Sequence, residues 1–198
     1  MKTRVLTLLF CLVSIFSYSQ AYFSNHAQWY IEDIGWEKCY EIYRHEYFIG
    51  DSIIDGKTYQ ILNGKVPLMS VKNKIYANIS GKDLLLYDFD LQIGDSLPVY
   101  DSGEVLWHFN SSEPWIDEVR VHYYAHVKSI DTLVLANGVK ARVLYYAGRE
   151  PDIEYVGNAR GILAPLFYAE IPHVPVWLIC AFQTKTESFM KIMDYASV

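Results

Sequence analysis

Apolar and polar residues alternate along most of this chain, most visibly in Leu84–Leu97, LLLYDFDLQIGDSL. Leu85, Tyr87, Phe89, Leu91 and Ile93 recur at every second position, with Asp88, Asp90 and Gln92 between them. Successive side chains of a strand point to opposite faces, so the pattern predicts a strand with one apolar and one partly solvated face. Gly94-Asp95-Ser96 punctuates its end. Glu118–Val127 is more regular still: Val119, Val121, Tyr123, Ala125 and Val127 alternate with Glu118, Arg120, His122, Tyr124 and His126. After Lys128-Ser129 the apolar parity moves to Ile130, which predicts a bulge or strand break there.

Turn signals divide the rest. Asp55-Gly56 lies between SII and KTYQIL, and Asn63-Gly64 closes that second run. Lys72-Asn73 separates Val66–Val71 from Lys74–Ile79, Gly81 leads into the alternating stretch, and Asn137-Gly138 joins IDTLVLA to VKARVLYYA. Such dipeptides suit hairpin turns whose central residues need positive φ. Trp29–Ile34 is a short strand. Trp36–Phe48 fits a helical stripe through Trp36, Cys39, Tyr40, Tyr43 and Tyr47, but its aromatic and β-branched content and the hairpin that follows assign it to strand. Gln20–Asn25 is a loose leader and Pro98–Ile116 a long loop with room for one short strand. Gly148–Ile171, with Pro151, Gly157, Gly161 and Pro165, wanders over one end of the sheet. Val176–Phe182 and Ser188–Tyr195 form a last strand pair. The expectation is an all-β chain, one mainly antiparallel domain of about ten strands arranged as a curved sheet, an open barrel or a sandwich.

The first residues change the picture of where this domain works. Lys2 and Arg4 precede the apolar Val5–Phe16, and Ser17-Tyr18-Ser19 follows. This is the layout of a secretory signal, with cleavage expected after Ser19 and a β-rich domain over 20–198. The apolar run is too short to span a bilayer, which takes roughly 20 residues. Cys11 sits inside that run after the bulky Phe10 and is not placed for lipidation. Cleavage of 19 residues from 198 leaves 179, and loss of two cations moves the formal net charge from −6 to −8. Such acidity argues against nucleic acid or an anionic membrane as partner, and no later run is long enough to span a bilayer. The expected location is the periplasm, the cell surface or the exterior. Cys39 and Cys180 survive processing; in an oxidising compartment they can close a long loop as a disulfide, and two buried thiols fit equally.

GDSIIDGKTYQIL, KNKIYANISGKDLLLYDFDLQIGDSL, VKSIDTLVLANGVKARV and YVGNARGILAPL, in that order, resemble a broad group of uncharacterised secreted proteins of Bacteroidetes. The likeness covers roughly residues 29–183 and rests on sheet and turn positions. It implies a β-rich secreted module and no established activity. Many such proteins carry a C-terminal sorting domain for type IX secretion, which the final MKIMDYASV does not resemble.

Four patterns invite a chemical reading. Gly94-Asp95-Ser96-Leu97 spells the motif of GDSL-type esterases, with Glu170 and His173 as late partners, but that family needs an α/β fold and an Asp-x-x-His. The tetrapeptide IGDS also occurs at 49–52, beside a hairpin, where it punctuates a turn. His122 and His126 share a strand face roughly 13 Å apart, too far for one metal ion. Asp88 and Asp90, roughly 7 Å apart on a strand face, have the spacing of an inverting glycosidase pair, but any such acidic pair on a strand has it, and solvated carboxylates are the plainer reading. No cofactor motif is present. The aromatic content, 17 Tyr, 9 Phe and 5 Trp, is mostly sheet packing. Trp107, Phe109 and Trp115, however, fall in the irregular 98–116 segment beside Asp, Asn and Glu. They can pin the loop to the sheet, or stack against a glycan or an extended peptide. The functional expectation is a secreted, non-enzymatic binding or surface-associated module; a GDSL-like serine hydrolase and a small-ligand carrier are the alternatives.

Overall fold

The computed structural model describes residues 23, 27–34, 41–101, 119–135, 138–158, 161–166 and 176–182. The residues expected to form the signal segment lie outside this set, as do Cys39, Trp107, Phe109 and Trp115. The described chain is all-β. It holds twelve strands, all paired antiparallel, and one short 3-10 turn at Ala164–Leu166.

Seven strands form one sheet: β1 (Gln28–Ile34), β2 (Glu41–Ile54), β3 (Lys57–Leu62), β4 (Val66–Val71), β5 (Lys74–Ile79), β6 (Lys82–Asp88) and β12 (Val176–Phe182). Their order is β12-β1-β2-β3-β4-β5-β6, so a hairpin meander is closed at one edge by the last strand. The second sheet has the order β11-β10-β9-β8-β7, built from β7 (Ser96–Asp101), β8 (Arg120–Val134), β9 (Lys140–Tyr146), β10 (Asp152–Ile153) and β11 (Gly157–Asn158). Both sheets curl, and one cluster of buried residues draws on both. Trp29, Phe48, Leu62, Leu68, Ile75 and Leu86 come from the first sheet, and Leu97, Val99, Ala125, Val127, Val143 and Leu144 from the second.

The dipeptide turns form as the residues dictate. Asp55-Gly56, Asn63-Gly64 and Ser80-Gly81 all have positive φ at both residues, between 50° and 78°. The parity change in β8 is a register shift between Val127 and Ser129. Pro98 lies in β7, an edge strand, where the ladder tolerates a residue without an N–H.

Several expectations are corrected. The 84–97 stretch is not one strand: β6 ends at Asp88 and β7 begins at Ser96. Its stripe is broken first by a bulge, because Tyr87 pairs with Ile75 while Leu85 pairs with Tyr76, leaving Leu86 extra. Leu86 and Tyr87 are therefore buried in succession. The chain then crosses to the second sheet, and Arg142 holds the crossing by donating from Nη1 to the Phe89 carbonyl and from Nη2 to the Leu91 carbonyl, the latter at 3.0 Å. Ile93, expected on the apolar face, is 66 % exposed. The first IGDS is a bulge inside β2, where the register shifts between Phe48 and Asp51, and not a turn. Phe23 is no part of a loose leader: it is buried against Trp29, ring centroids 5.3 Å apart, and Phe48. Val176–Phe182 pairs with β1, and residues 188–195 are outside the described set.

Candidate functional site

The outer face of the seven-stranded sheet carries an ordered array of exposed aromatic rings. Pairing of β1 with β2 sets Gln28 opposite Tyr47 and Tyr30 opposite His45, while Trp29 and Glu46 point to the core. His45 stacks on Tyr30 with ring centroids 4.4 Å apart and planes 9° from parallel, and lies 4.8 Å from Tyr47 at a 31° tilt. Gln28 ties the group together: its Oε1 accepts from the Tyr30 hydroxyl at 3.3 Å and lies 3.0 Å from His45 Nε2. Asn63 Oδ1 accepts the Tyr47 backbone N–H at 2.9 Å. Tyr30 and Tyr47 are 37 % and 40 % exposed. Partial burial lowers the His45 pKa below its ordinary value and so favours the neutral imidazole in this stack. None of the three rings was singled out from sequence as a binding residue. The signal was the alternation in Arg44-His45-Glu46-Tyr47-Phe48, whose odd positions face out once a strand is assumed.

The same face carries a polar knot further along the meander. Asp83 of β6 accepts Lys57 Nζ at 2.6 Å, the Tyr59 hydroxyl at 2.8 Å and Asn78 Nδ2 at 2.9 Å. Lys57 and Tyr59 lie on β3, three strands away in the sheet order. At about 4.8 Å per strand a flat sheet would separate β3 from β6 by roughly 14 Å. The contact therefore reflects the curl, and it buries Tyr59. Burial alone would raise the Asp83 pKa, but the hydrogen bonds from Lys57, Asn78 and Tyr59 outweigh it and hold the carboxyl below its usual value.

A second polar cluster lies in the interior, where side chains of the first sheet hold backbone atoms of the 156–162 segment. Trp29 Nε1 donates to the Val156 carbonyl at 2.6 Å. The Tyr87 hydroxyl donates to the Ile162 carbonyl at 2.7 Å and accepts the Asn158 N–H at 3.2 Å. Glu46 Oε2 accepts the Ile162 N–H at 3.2 Å. Burial, reinforced by the nearby Asp152 carboxylate, raises the Tyr87 pKa well above the ordinary phenol value, so the hydroxyl stays a donor. Gly157 lies against this hydroxyl at φ 99°, a backbone conformation that L side chains rarely adopt. Tyr87 of the LLLYDF stretch and the backbone of Val156–Asn158 and Gly161–Ile162 thus meet in one structural clasp.

The residues that suggested chemistry are placed otherwise. Ser96 opens β7, half-buried, opposite the exposed His126. Asp95 Oδ2 accepts the Gln92 N–H at 2.8 Å and the Asp95 carbonyl accepts the Val127 N–H at 2.9 Å, so Gly-Asp-Ser serves as a turn closing onto a strand. Glu170 and His173 are outside the described residues. Asp88, expected in solvent, is 6 % exposed and bound to Lys74 at 2.5 Å. Asp90 lies past the end of β6 and accepts from Asn73 Nδ2 at 2.8 Å, so the two carboxylates do not form a facing pair on one strand. His122 and His126 are both exposed on β8. Among the described residues no group of three His, Cys, Asp or Glu side chains is placed to hold a metal ion, and no helix is long and apolar enough to cross a membrane. Cys180 is the register partner of Tyr30 in β12. The proposed disulfide partner Cys39, and the loop aromatics Trp107, Phe109 and Trp115, lie outside the described residues.

Compared with family models, curated proteins and solved structures, the chain finds no match in any of the three.

Proposed function

We propose that this chain is an exported, non-catalytic binding module that engages a glycan or an extended peptide through aromatic side chains. The observation that carries the reading is the stacked Tyr30–His45–Tyr47 array on an exposed sheet face. Rings supply contact area at a small cost in side-chain entropy, and stacking on a sheet lowers that cost further because the rings are ordered before any ligand arrives. Planar rings beside Gln28 and Asn63 suit ligands with one apolar face and many hydroxyl or amide groups. The acidic net charge favours neutral or cationic ligands over polyanions. Trp107, Phe109 and Trp115 belong to the same reading as a second set of rings. Export is supported by the Lys2–Ser19 segment.

The test is a glycan and peptide array probed with the wild-type chain and with Tyr47→Ala, Trp107→Ala and Trp115→Ala. Loss of the sheet-face ring should weaken a captured ligand by tenfold or more, the range of a hot-spot side chain. The melting temperature should hardly move, because an exposed cross-strand pair contributes only about 0.2–1 kcal/mol. If only the tryptophan variants lose the signal, the site is the 98–116 segment and the sheet face is passive. Binding that survives all three substitutions rejects the aromatic reading.

A further inference from the structure

Gln28, Tyr47 and Asn63 form one row across β1, β2 and the turn that ends β3. Gln28 is the register partner of Tyr47, and the Asn63 N–H donates to the Tyr47 carbonyl at 2.8 Å. The two amides that flank Tyr47 have their oxygens engaged within the protein. Asn63 Oδ1 accepts the Tyr47 N–H, which can only donate, so the side-chain nitrogen is the free end of that amide. Gln28 Oε1 accepts from the Tyr30 hydroxyl and faces His45 Nε2. Neither Gln28 Nε2 nor Asn63 Nδ2 bonds to another described residue. Tyr47 thus has an N–H donor group on either side. Ile49, two positions along β2, is 59 % exposed, and its Cδ1 lies 3.3 Å from where a Cβ on Gly64 would be. A bare apolar side chain therefore sits beside the turn that carries the Asn63 donor.

Two free donors call for acceptors on the ligand, and the acidic net charge disfavours acceptors that are anionic. A hydroxyl can accept from either amide but leaves Ile49 uncovered. An acetamido group offers a carbonyl oxygen to an N–H and a methyl to an apolar side chain. Spacing separates a glycan from a peptide. Gln28 and Asn63 are two strand steps apart, roughly 10 Å at about 4.8 Å per step. An extended peptide rises about 3.3 Å per residue and its groups alternate in direction, so acceptors facing one way fall roughly 7 or 13 Å apart. In a β-linked chain of pyranose rings, groups facing one way recur once per disaccharide, a span between those two. Taking the Tyr30–His45–Tyr47 face as the binding face, we infer that its ligand is a neutral glycan bearing acetamido groups. Gln28 and Asn63 donate to its acceptors, and Tyr47 lies under the sugar between them.

Calorimetric titration of the full chain tests this with three probes: a tetramer of β-1,4-linked N-acetylglucosamine, the matching glucose tetramer and an uncharged extended peptide. The acetamido tetramer should bind, and the other two should bind at least tenfold more weakly. Asn63→Asp and Gln28→Glu keep the oxygen each side chain uses inside the protein and replace only the free amino group by a second oxygen. Each should weaken the acetamido tetramer about tenfold, because a donor becomes an acceptor facing an acceptor, while the melting temperature stays near that of the wild type. Should Asn63→Asp disturb its turn, Gln28→Glu on the opposite side carries the same decision. Equal affinity for the two sugars, or acetamido binding that ignores the amide substitutions, overturns the inference. Peptide binding that Tyr47→Ala abolishes, with no sugar bound, also overturns it and leaves the aromatic face as the site. Probe binding that Tyr47→Ala leaves unchanged rejects the face itself and the inference with it.

Discussion

At the scale of single residues, buried and half-buried carboxylates tie this chain together, among them Asp88, which the sequence placed in solvent. Asp83 accepts three side-chain hydrogen bonds from β3 and β5, and its pKa lies below the ordinary carboxylate value because those bonds outweigh the cost of burial. The sign of the pH effect follows. A carboxyl whose folded-state pKa is depressed contributes stability above its unfolded pKa, about 3.9, and that contribution is lost as pH falls through the lower folded-state value. Asp83→Asn should therefore lower unfolding free energy by about 1–3 kcal/mol at neutral pH. The difference between variant and wild type should shrink below the unfolded pKa. Denaturant titrations of both chains over the acid range measure this; a gap that is constant with pH would show that Asp83 acts by shape and not by charge. Asp152 runs the other way, since burial raises its pKa despite Arg149, Asn158 and Tyr146. Its share of stability is largest below the unfolded pKa and declines as pH rises through the folded-state value.

At the scale of elements, what could be read from the sequence was what local chemistry dictates. Asp55-Gly56 and Asn63-Gly64 mark their turns because few other residue pairs accept positive φ in succession, and the Ile130 parity change marks a bulge because a strand face cannot switch otherwise. The stripe from Leu85 to Ile93 misled because its fate is set by distant residues. Arg142, more than fifty positions away from Phe89, captures the crossing chain, and nothing within 84–97 announces that contact. The candidate site was legible to a similar extent. Tyr47 and His45 belong to a strand that could be inferred, but their stack needs Tyr30 in register, and register comes from pairing. Residues 156–158 and 161–162 read as irregular because β11 is only two residues long and side chains of β1, β2 and β6 hold much of the backbone around it. This gives a prediction for Gly157, whose φ of 99° is strained for any L side chain even though a Cβ there would meet the Tyr87 hydroxyl only in ordinary contact at 3.4 Å. Gly157→Ala should cost about 1–3 kcal/mol in backbone strain. Chemical denaturation gives the value, and a change below a few tenths would mean that the segment relaxes freely and is not clasped.

At the scale of the whole molecule, the question is what makes two curled sheets behave as one body. The shared apolar core supplies the larger part of the attraction, but apolar contact is non-directional and does not by itself fix how one sheet sits on the other. Direction comes from the buried donors and acceptors that cross between them: Trp29, Glu46 and Tyr87 on the first sheet, each engaged with backbone of the segment that carries and follows β11. Tyr87 has the most at stake, since it donates to Ile162 and accepts from Asn158 while being fully buried. Tyr87→Phe keeps the ring and its parallel packing 5.8 Å from Phe89 but leaves a carbonyl and an N–H buried without that partner. The expected loss is about 1–3 kcal/mol for each group left unsatisfied. If the clasp couples the sheets in the native state, the loss should appear as a lower midpoint of one cooperative transition with an unchanged slope. If it serves only the segment, the midpoint should hold, and amide exchange should rise over 156–162 alone. Equilibrium unfolding and hydrogen exchange on the same variant separate the two cases. The first outcome is expected, because the atoms Tyr87 holds lie between a strand edge and the 3-10 turn at Ala164–Leu166, whose Pro165 and Leu166 are themselves buried. Opening there would expose apolar surface along with the released backbone.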